Sequence, residues 1–187
     1  MTEETEVKWE RWQKKRIFVR EVAGKYAEVY RQLLDQPRVY KSSAKPFKGG
    51  PILFSKKMIN PQENAVAQSI ETHLEVLSPG RYGQKHGHMN SAVFYILSGK
   101  GYDVHDGIRY DWQAGDACIV ENGCVHQHFN ADPEHEVRIL VTKAKPLFLF
   151  FNLMFQKNVD YPPSDAAPGF EDWKPEDNFS RSSPSLT

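Results

Sequence analysis

The sequence lacks the features that mark a disulfide-rich secreted protein, a membrane protein or a nucleic-acid-binding protein. It has only two cysteines, Cys118 and Cys124, too few for the disulfide framework of a small secreted domain. Its longest apolar run, PLFLFFNLMF at 146–155, is too short to span a membrane, and the N-terminus has no apolar signal-peptide core. Lys plus Arg (24) equals Asp plus Glu (24), so no net charge attracts nucleic acid or an acidic membrane surface. We therefore expect a reduced, cytoplasmic protein without a nucleic-acid or membrane partner.

The 187 residues contain enough apolar material, 40% hydrophobic and 12% aromatic, for one sizeable core with appendages. Residues 1–40 are predicted to form an N-terminal helical arm, because apolar residues recur there at helical spacing. These residues are Phe18, Val22, Tyr26, Val29 and Leu33. We place one β domain at 41–156. The remainder, 157–187, is rich in Pro, Ser and Asp and is predicted to be an extended, partly disordered tail with Phe170 and Trp173 as anchors.

The β domain is indicated by short runs of strand-forming residues separated by turn signals such as SPGRYG, SGKG, HDG and QAGD. The runs are SIETHLEVL, SAVFYILSG, GYDVHDGIRYDW, DACIVEN, HQHFN, VRILVTKA and PLFLFFNLMF. Their even spacing predicts an all-β fold, a small antiparallel barrel or sandwich.

Two pairs of histidines are the candidate metal-binding residues. Alternate residues of a strand share a face, so His86 and His88 point the same way, as do His126 and His128. Two such pairs on separate strands can converge, and a divalent metal of borderline softness would satisfy their nitrogens together. The lone histidines are predicted to be structural. They are His73, His105 and His135.

The spacing around these pairs is specific. Residues 80–99 read G-x5-H-x-H-x3-A-x6-G, and residues 115–130 read G-x5-E-x-G-x2-H-x3-N. They resemble the two signature motifs of the cupin superfamily, G-x5-H-x-H-x3-E-x6-G and G-x5-P-x-G-x2-H-x3-N. The resemblance implies a double-stranded β-helix, or jelly-roll, barrel with His86, His88 and His126 as metal ligands. Two positions depart from the motifs: Glu121 replaces a proline, and Ala92 stands where the glutamate ligand would be.

The loss of that glutamate has an electrostatic consequence. Three neutral imidazoles leave the full charge of a divalent metal such as Fe(II), whereas two imidazoles and one carboxylate reduce it to about +1. In a low-dielectric cavity, the three-histidine site therefore favours an anionic ligand that chelates through two oxygens.

Within the cupins, the chain resembles the gentisate 1,2-dioxygenase-like ring-cleaving enzymes. Their metal strand also reads H-x-H followed by Ser-Ala, here His86, His88 and 91–92, and they close with W-H-x-H-x-N, here VHQHFN at 125–130. The resemblance implies an Fe(II)-dependent enzyme, with Mn, Ni and Zn as alternative metals, that inserts O2 into a hydroxylated aromatic ring. It also implies a homodimer or higher homo-oligomer. Gentisate enzymes are usually longer chains with two cupin modules, and this chain has room for one.

Other residues are proposed to support this chemistry. His128 could hold substrate or move a proton, Gln84 could reach the cavity, and Arg81 could bind a substrate carboxylate. Further candidates are given lesser roles: Arg109 as a second cation, Tyr95 and Trp112 as stacking rings, and Cys124 as a fourth ligand.

Three alternatives stay open at this point. The same histidines could serve carbon–carbon cleavage of a diketone or acylphenol. A Lewis-acid lyase or isomerase would use Glu121 or Tyr82 as a base. A non-catalytic cupin could bind a small molecule or serve as the partner subunit of an oxygenase, although a transcriptional sensor is disfavoured because no basic helix-turn-helix is present.

Overall fold

The computed structural model describes residues 31, 33–61, 63, 68–162 and 164–176. Residues 1–30 and 32 of the predicted N-terminal arm lie outside the described residues. The described residues form a short 3-10 helix at Ser42–Ala44, eleven strands and one α-helix for which both ends are described. The strands are β1 (Lys48–Gly49), β2 (Leu53–Ile59), β3 (Glu71–Leu77), β4 (Lys85–His88), β5 (Ala92–Ser98), β6 (Lys100–His105), β7 (Ile108–Gln113), β8 (Ala117–Val120), β9 (Val125–Asn130), β10 (Val137–Lys143) and β11 (Gln156–Asp160). The helix α1 spans Lys145–Phe150.

The strands form two antiparallel sheets, and this arrangement confirms the predicted all-β barrel. The first sheet has the order β1-β2-β3-β10-β5-β8, and the second has the order β11-β4-β9-β6-β7. Neighbours in space are often distant in sequence, as when β3 and β5 flank β10. The two sheets face each other across one core, as expected for a jelly roll.

Alternation along the strands builds that core. In β5, Ala92, Phe94 and Ile96 are buried while the residues between them are exposed. Phe94 and Ile96 are 1% and 0% exposed, and burying a side chain of this size contributes about 1.5–3 kcal/mol each. They pack with apolar residues of both sheets. The turn between β6 and β7 is Asp106–Gly107, with φ of 47° and 88°, which suits a two-residue hairpin whose twist matches the strands.

One predicted strand is wrong. The run PLFLFFNLMF at 146–155 does not form a strand: its first part lies in α1, followed by a turn and an extended link to β11. Pro146 occupies the first turn of α1, where its missing N–H costs nothing, whereas it would interrupt a strand ladder. Several apolar side chains of the segment remain exposed, including Leu147, Phe150 and Phe151. Apolar content alone therefore did not distinguish strand from helix here.

The boundary predicted at 156 also needs correction. Strand β11 pairs antiparallel with β4, so the second sheet extends beyond residue 156 to Asp160. The following chain lies against the first sheet, where the Trp173 ring packs edge-on against Phe54 with ring centroids 5.5 Å apart. Arg138 donates to the Glu176 carbonyl at 3.2 Å. These contacts hold residues of the predicted tail on the barrel.

Among the described residues, no helix is long and apolar enough to cross a membrane.

Candidate metal centre

Strands β4 and β9 bring three histidines together inside the barrel. The two strands are neighbours, and His86 is directly opposite His126 in their register. His88 lies on the same face of β4 as His86, because alternate residues share a face. The ring centroids are 4.4 Å apart for His86 and His126, 4.8 Å for His88 and His126, and 5.4 Å for His86 and His88. Ligand atoms of all three lie within 4.8 Å of one another.

Backbone carbonyls orient the three rings in the same way. His86 Nδ1 is 2.9 Å from the Gln84 carbonyl oxygen, His88 Nδ1 is 2.7 Å from that of Asn90, and His126 Nδ1 is 3.3 Å from that of Cys124. A carbonyl can only accept, so each Nδ1 carries the hydrogen. Each neutral ring therefore keeps its lone pair on Nε2, as expected of a metal-ligating histidine whose other nitrogen is held by an acceptor.

The three rings are also kept neutral. Burial lowers the pKa of His86, lowers that of His88 to about 4, and lowers that of His126 to about 2. Neighbouring positive charges add to this effect on each ring. A histidine binds a metal only in its neutral form, and the lowered pKa values keep these rings neutral near neutral pH. No proton therefore has to leave them when an ion binds. The donor set fits Fe(II), Mn(II), Ni(II) or Zn(II).

No carboxylate joins this group in the described part of the chain. Ala92, at the position of the cupin glutamate, is 4% exposed and belongs to the apolar core. Two carboxylates with other partners lie in the interior. Glu75 Oε1 is 2.7 Å from His73 Nε2; burial acts to raise the pKa of Glu75, but the charge and hydrogen bond of His73 outweigh it and hold the pKa well below its usual range.

The second interior carboxylate, Asp103, holds His128. Asp103 Oδ2 accepts from His128 Nδ1 at 2.9 Å and from His105 Nε2 at 3.1 Å, while Oδ1 accepts from Trp112 Nε1 at 2.9 Å. The His128 ring centroid is 5.2 Å from that of His126, so this histidine lies beside the metal candidates. Burial acts to lower the pKa of His128, but the Asp103 carboxylate outweighs it and raises that pKa.

The structure separates two other predicted residues from the histidines. The Arg81 guanidinium donates to the Ala166 carbonyl and lines a pocket with Pro168 and Glu171, and no contact between Arg81 and the metal candidates is found among the described residues. Gln84 contributes its backbone carbonyl to His86, and no contact of its side chain with the site is found among the described residues. These placements leave the predicted substrate roles of both side chains without a supporting contact.

The lesser candidates also have other partners. Arg109 is exposed, donates to Asp111 at 2.6 Å and stacks on Tyr102. Tyr95 lies on the outer face of the barrel, 45% exposed. Trp112 is buried and donates to Asp103 rather than offering an open ring face.

Cys124 belongs to a separate group with His105 and Glu121 rather than to the three histidines. Burial and the nearby Glu121 carboxylate raise the pKa of the Cys124 thiol to about 12. Glu121 accepts from His105 Nδ1 at 3.1 Å. Tyr82, the other candidate base, packs against Phe129 with ring centroids 5.3 Å apart.

Sequence reasoning missed two residues, the buried Asp103 and the half-buried Lys143. The signal for Asp103 was the alternating pair Asp103 and His105 in GYDVHD, which repeats the period of the histidine pairs. The signal for Lys143 was VRILVTK at 137–143, where the buried-face alternation of Val, Ile and Val ends on a lysine.

Comparison with known proteins agrees with this geometry. Residues 73–143 match the model of the cupin domain family. A 5-aminosalicylate 1,2-dioxygenase from a Comamonas species is 30% identical over 66 residues, which cover 35% of this chain and 18% of that protein. The chain therefore spans much less than half of this relative.

Solved structures share the fold at low sequence identity. A salicylate 1,2-dioxygenase from Pseudaminobacter salicylatoxidans superposes with a TM-score of 0.53 and 17% identity, covering 62% of this chain and 33% of that one. A cupin-like protein from Thermotoga maritima gives a TM-score of 0.50 and 18% identity, covering 67% of this chain and 87% of that one. The matched segment and the two antiparallel sheets agree: residues 73–143 match a cupin domain, and the chain is similar in fold to a salicylate 1,2-dioxygenase.

Proposed function

We propose that this protein is an Fe(II)-dependent dioxygenase that cleaves a hydroxylated aromatic ring with O2. The observation that carries the proposal is a set of three neutral imidazoles. Each has Nδ1 bonded to a backbone carbonyl and Nε2 left with its lone pair for a metal, and no carboxylate joins the group among the described residues. Two relatives are named as 1,2-dioxygenases of salicylate and 5-aminosalicylate, and one salicylate dioxygenase variant is described in complex with gentisate.

In this proposal His86, His88 and His126 hold the metal through Nε2. Bound Fe(II) would bring a chelating, electron-rich ring together with O2 and carry charge between them. The protein binds the metal with uncharged ligands only, so an anionic substrate supplies the compensating negative charge. A phenol with an adjacent carboxylate meets this requirement through two oxygens, as gentisate-like compounds do, whereas a hydroquinone-like compound would supply one phenolate oxygen.

His128 is proposed to take the proton of a substrate hydroxyl. Its Nδ1 is committed to Asp103, so Nε2 is the nitrogen left to receive a proton or to donate to a phenolate. The Asp103 carboxylate stabilises the imidazolium that results, which is the arrangement a general base requires. Phe94 packs edge-on against the same ring at 5.0 Å and restricts its motion.

Oxygen uptake tests the proposal. The metal-free protein is loaded with Fe(II) under anaerobic conditions, and O2 consumption is then followed with gentisate, other hydroxybenzoates, hydroquinones and β-diketones. We expect uptake with at least one chelating phenol. Uptake with β-diketones alone would replace ring cleavage by carbon–carbon cleavage, and iron binding without uptake on any compound would leave a Lewis-acid or binding role.

Two variants test whether the metal binds at the three histidines or elsewhere on the protein. His86→Ala combined with His88→Ala removes two proposed ligands, and we expect it to abolish stoichiometric metal binding. His135→Ala removes an exposed histidine whose side chain is 75% accessible, and we expect it to bind metal as the wild type does. Normal metal binding by the double variant would show that the centre is elsewhere. Self-association stays a prediction, which light scattering over a range of protein concentrations would test.

A further inference from the structure

Lys143 is the last residue of β10, and the strand register places it beside the missing ligand. Lys143 is the direct partner of Ala92 across the β5–β10 ladder. Opposite residues of an antiparallel pair project from the same face, with Cβ atoms about 4.5–5.5 Å apart. Ala92 is buried on the inner face, in the position where the cupin motif has glutamate. The lysine therefore stands next to the space that the shorter alanine side chain leaves.

Alternation along β10 supports the same placement. Val137, Ile139 and Val141 are buried in the core, and Lys143 continues this series of inward-facing positions at the end of the strand. The residue is half-buried, so its ammonium is neither fully in solvent nor sealed in the core.

The ammonium has acidic neighbours but no direct ion pair among the described residues. Glu71 is opposite Lys143 across the β3–β10 ladder, and the Lys143 charge contributes to the lowered pKa of Glu75. Glu75 itself bonds to His73, and the Glu71 charge also acts on Lys145. No hydrogen bond or ion pair of the Lys143 side chain is found in the described part of the chain. A half-buried cation without a direct ion pair can still bind an anionic ligand.

The inner face of β5 meets the histidines. Phe94, two residues from Ala92 on that face, packs edge-on against His128 with ring centroids 5.0 Å apart. The His128 ring centroid is 5.2 Å from that of His126. The cation predicted to bind a substrate carboxylate, Arg81, bonds to Ala166 instead.

We propose that Lys143 binds an anionic group of the substrate, a carboxylate on the aromatic ring, beside the three-histidine centre. This inference rests on the proposed function and names the feature that selects its substrate. In place of a negative ligand at position 92 the barrel presents a positive charge from the adjacent strand. The site therefore favours a carboxylated phenol over a neutral one.

Binding without turnover tests this assignment. Protein loaded with Co(II) under anaerobic conditions is titrated by calorimetry with gentisate and with its amide, 2,5-dihydroxybenzamide, which has the same ring hydroxyls but no carboxylate. We expect wild-type protein to bind gentisate more tightly. Lys143→Met keeps the apolar stem and removes the charge, and we expect it to lose about tenfold to a hundredfold of that preference.

Two further variants distinguish an effect of the Lys143 charge from an effect of altered folding. Lys143→Arg keeps a cation and should restore most of the preference. Lys145→Met is the matched control, because Lys145 approaches Gln156 at 3.4 Å and should leave the preference unchanged. Co(II) affinity should be at least as high in Lys143→Met as in the wild type, because the variant removes a positive charge near the ion.

Each outcome decides the assignment. Equal affinity of wild-type protein for gentisate and its amide, or an unchanged preference in Lys143→Met, would overturn it. If the preference depends on Lys143 but the iron-loaded protein consumes no O2, the dioxygenase proposal fails and the binding role of Lys143 stands.

Discussion

Replacing Asp103 with asparagine should be one of the most costly single changes near the site. The carboxylate is 1% exposed and accepts three hydrogen bonds, from His128, His105 and Trp112. An asparagine has one oxygen, so at least one of these donors must face an amide N–H instead or change its tautomer. A hydrogen bond to a charged group contributes about 1.5–3 kcal/mol, and an unsatisfied buried donor costs about 1–3 kcal/mol. We therefore expect Asp103→Asn to lower the free energy of unfolding by about 2–4 kcal/mol.

The assay is thermal unfolding of the metal-free protein followed by circular dichroism. For a chain of this length, the expected loss lowers the Tm by roughly 5–15 °C. The matched control is Asp111→Asn on the adjoining strand, whose side chain is 70% exposed and pairs only with Arg109 among the described residues, and it should change the Tm little. Nitrogen NMR of labelled histidines gives a second measurement, because loss of the acceptor should change which nitrogen of His128 is protonated. A Tm within 2 °C of wild type with an unchanged His128 spectrum would contradict the network described above.

Three further predictions concern other parts of the barrel. His126→Ala should abolish tight metal binding in anaerobic calorimetry, since His126 is central to the cluster; binding at wild-type affinity would refute its role as a ligand. Glu75 has a lowered native pKa, so its contribution to stability is present above its unfolded pKa of about 4.3 and is lost as pH falls through the native value. The Tm difference between wild type and Glu75→Gln should therefore shrink as the pH falls below about 4, and a constant difference would count against the His73 pair. Burial raises the pKa of Cys118 to about 11 and of Cys124 to about 12, so both thiols should react with iodoacetamide far more slowly in the native protein than in urea.

The strands were predictable because the signals that mark them are local. In β7 the apolar Ile108, Tyr110 and Trp112 alternate with polar residues, and β5 is a short run of strand-forming side chains that ends at the SGKG turn. The turn residues between strands, such as Asp106 and Gly107, are equally local signals. By contrast, the segment 146–155 is apolar except for Asn152 and has no alternation, so its sequence period could not decide between strand and helix. Its first part forms a helix, with Pro146 in the first turn, a position that proline favours.

The three histidines were predictable for the same reason, since H-x-H in a strand places both rings on one face. Their partners were not, because hydrogen bonds to carbonyls two residues away depend on the local path of the backbone. Asp103 could not be joined to His128 from the sequence either, since the contact exists only because β6 and β9 pair in one register. Arg81 was chosen for its nearness in sequence to the metal strand, and the chain turns its guanidinium toward Ala166.

The charge distribution inside the barrel accounts for these observations together. Both interior carboxylates bond to other groups, Glu75 to His73 and Asp103 to the network around His128, and neither joins the three histidines as a ligand among the described residues. The Glu75 charge still acts on His86, where it opposes the lowering of the pKa by burial. Ala92 removes the carboxylate that the cupin motif would supply, and Lys143 adds a positive charge across the ladder from it. A divalent metal held by neutral imidazoles, with the Lys143 ammonium on an adjacent strand, would give the site a net positive charge in a low-dielectric cavity. Such a site would bind an anion, which is why we propose that the lack of a protein carboxylate here favours a carboxylate on the substrate.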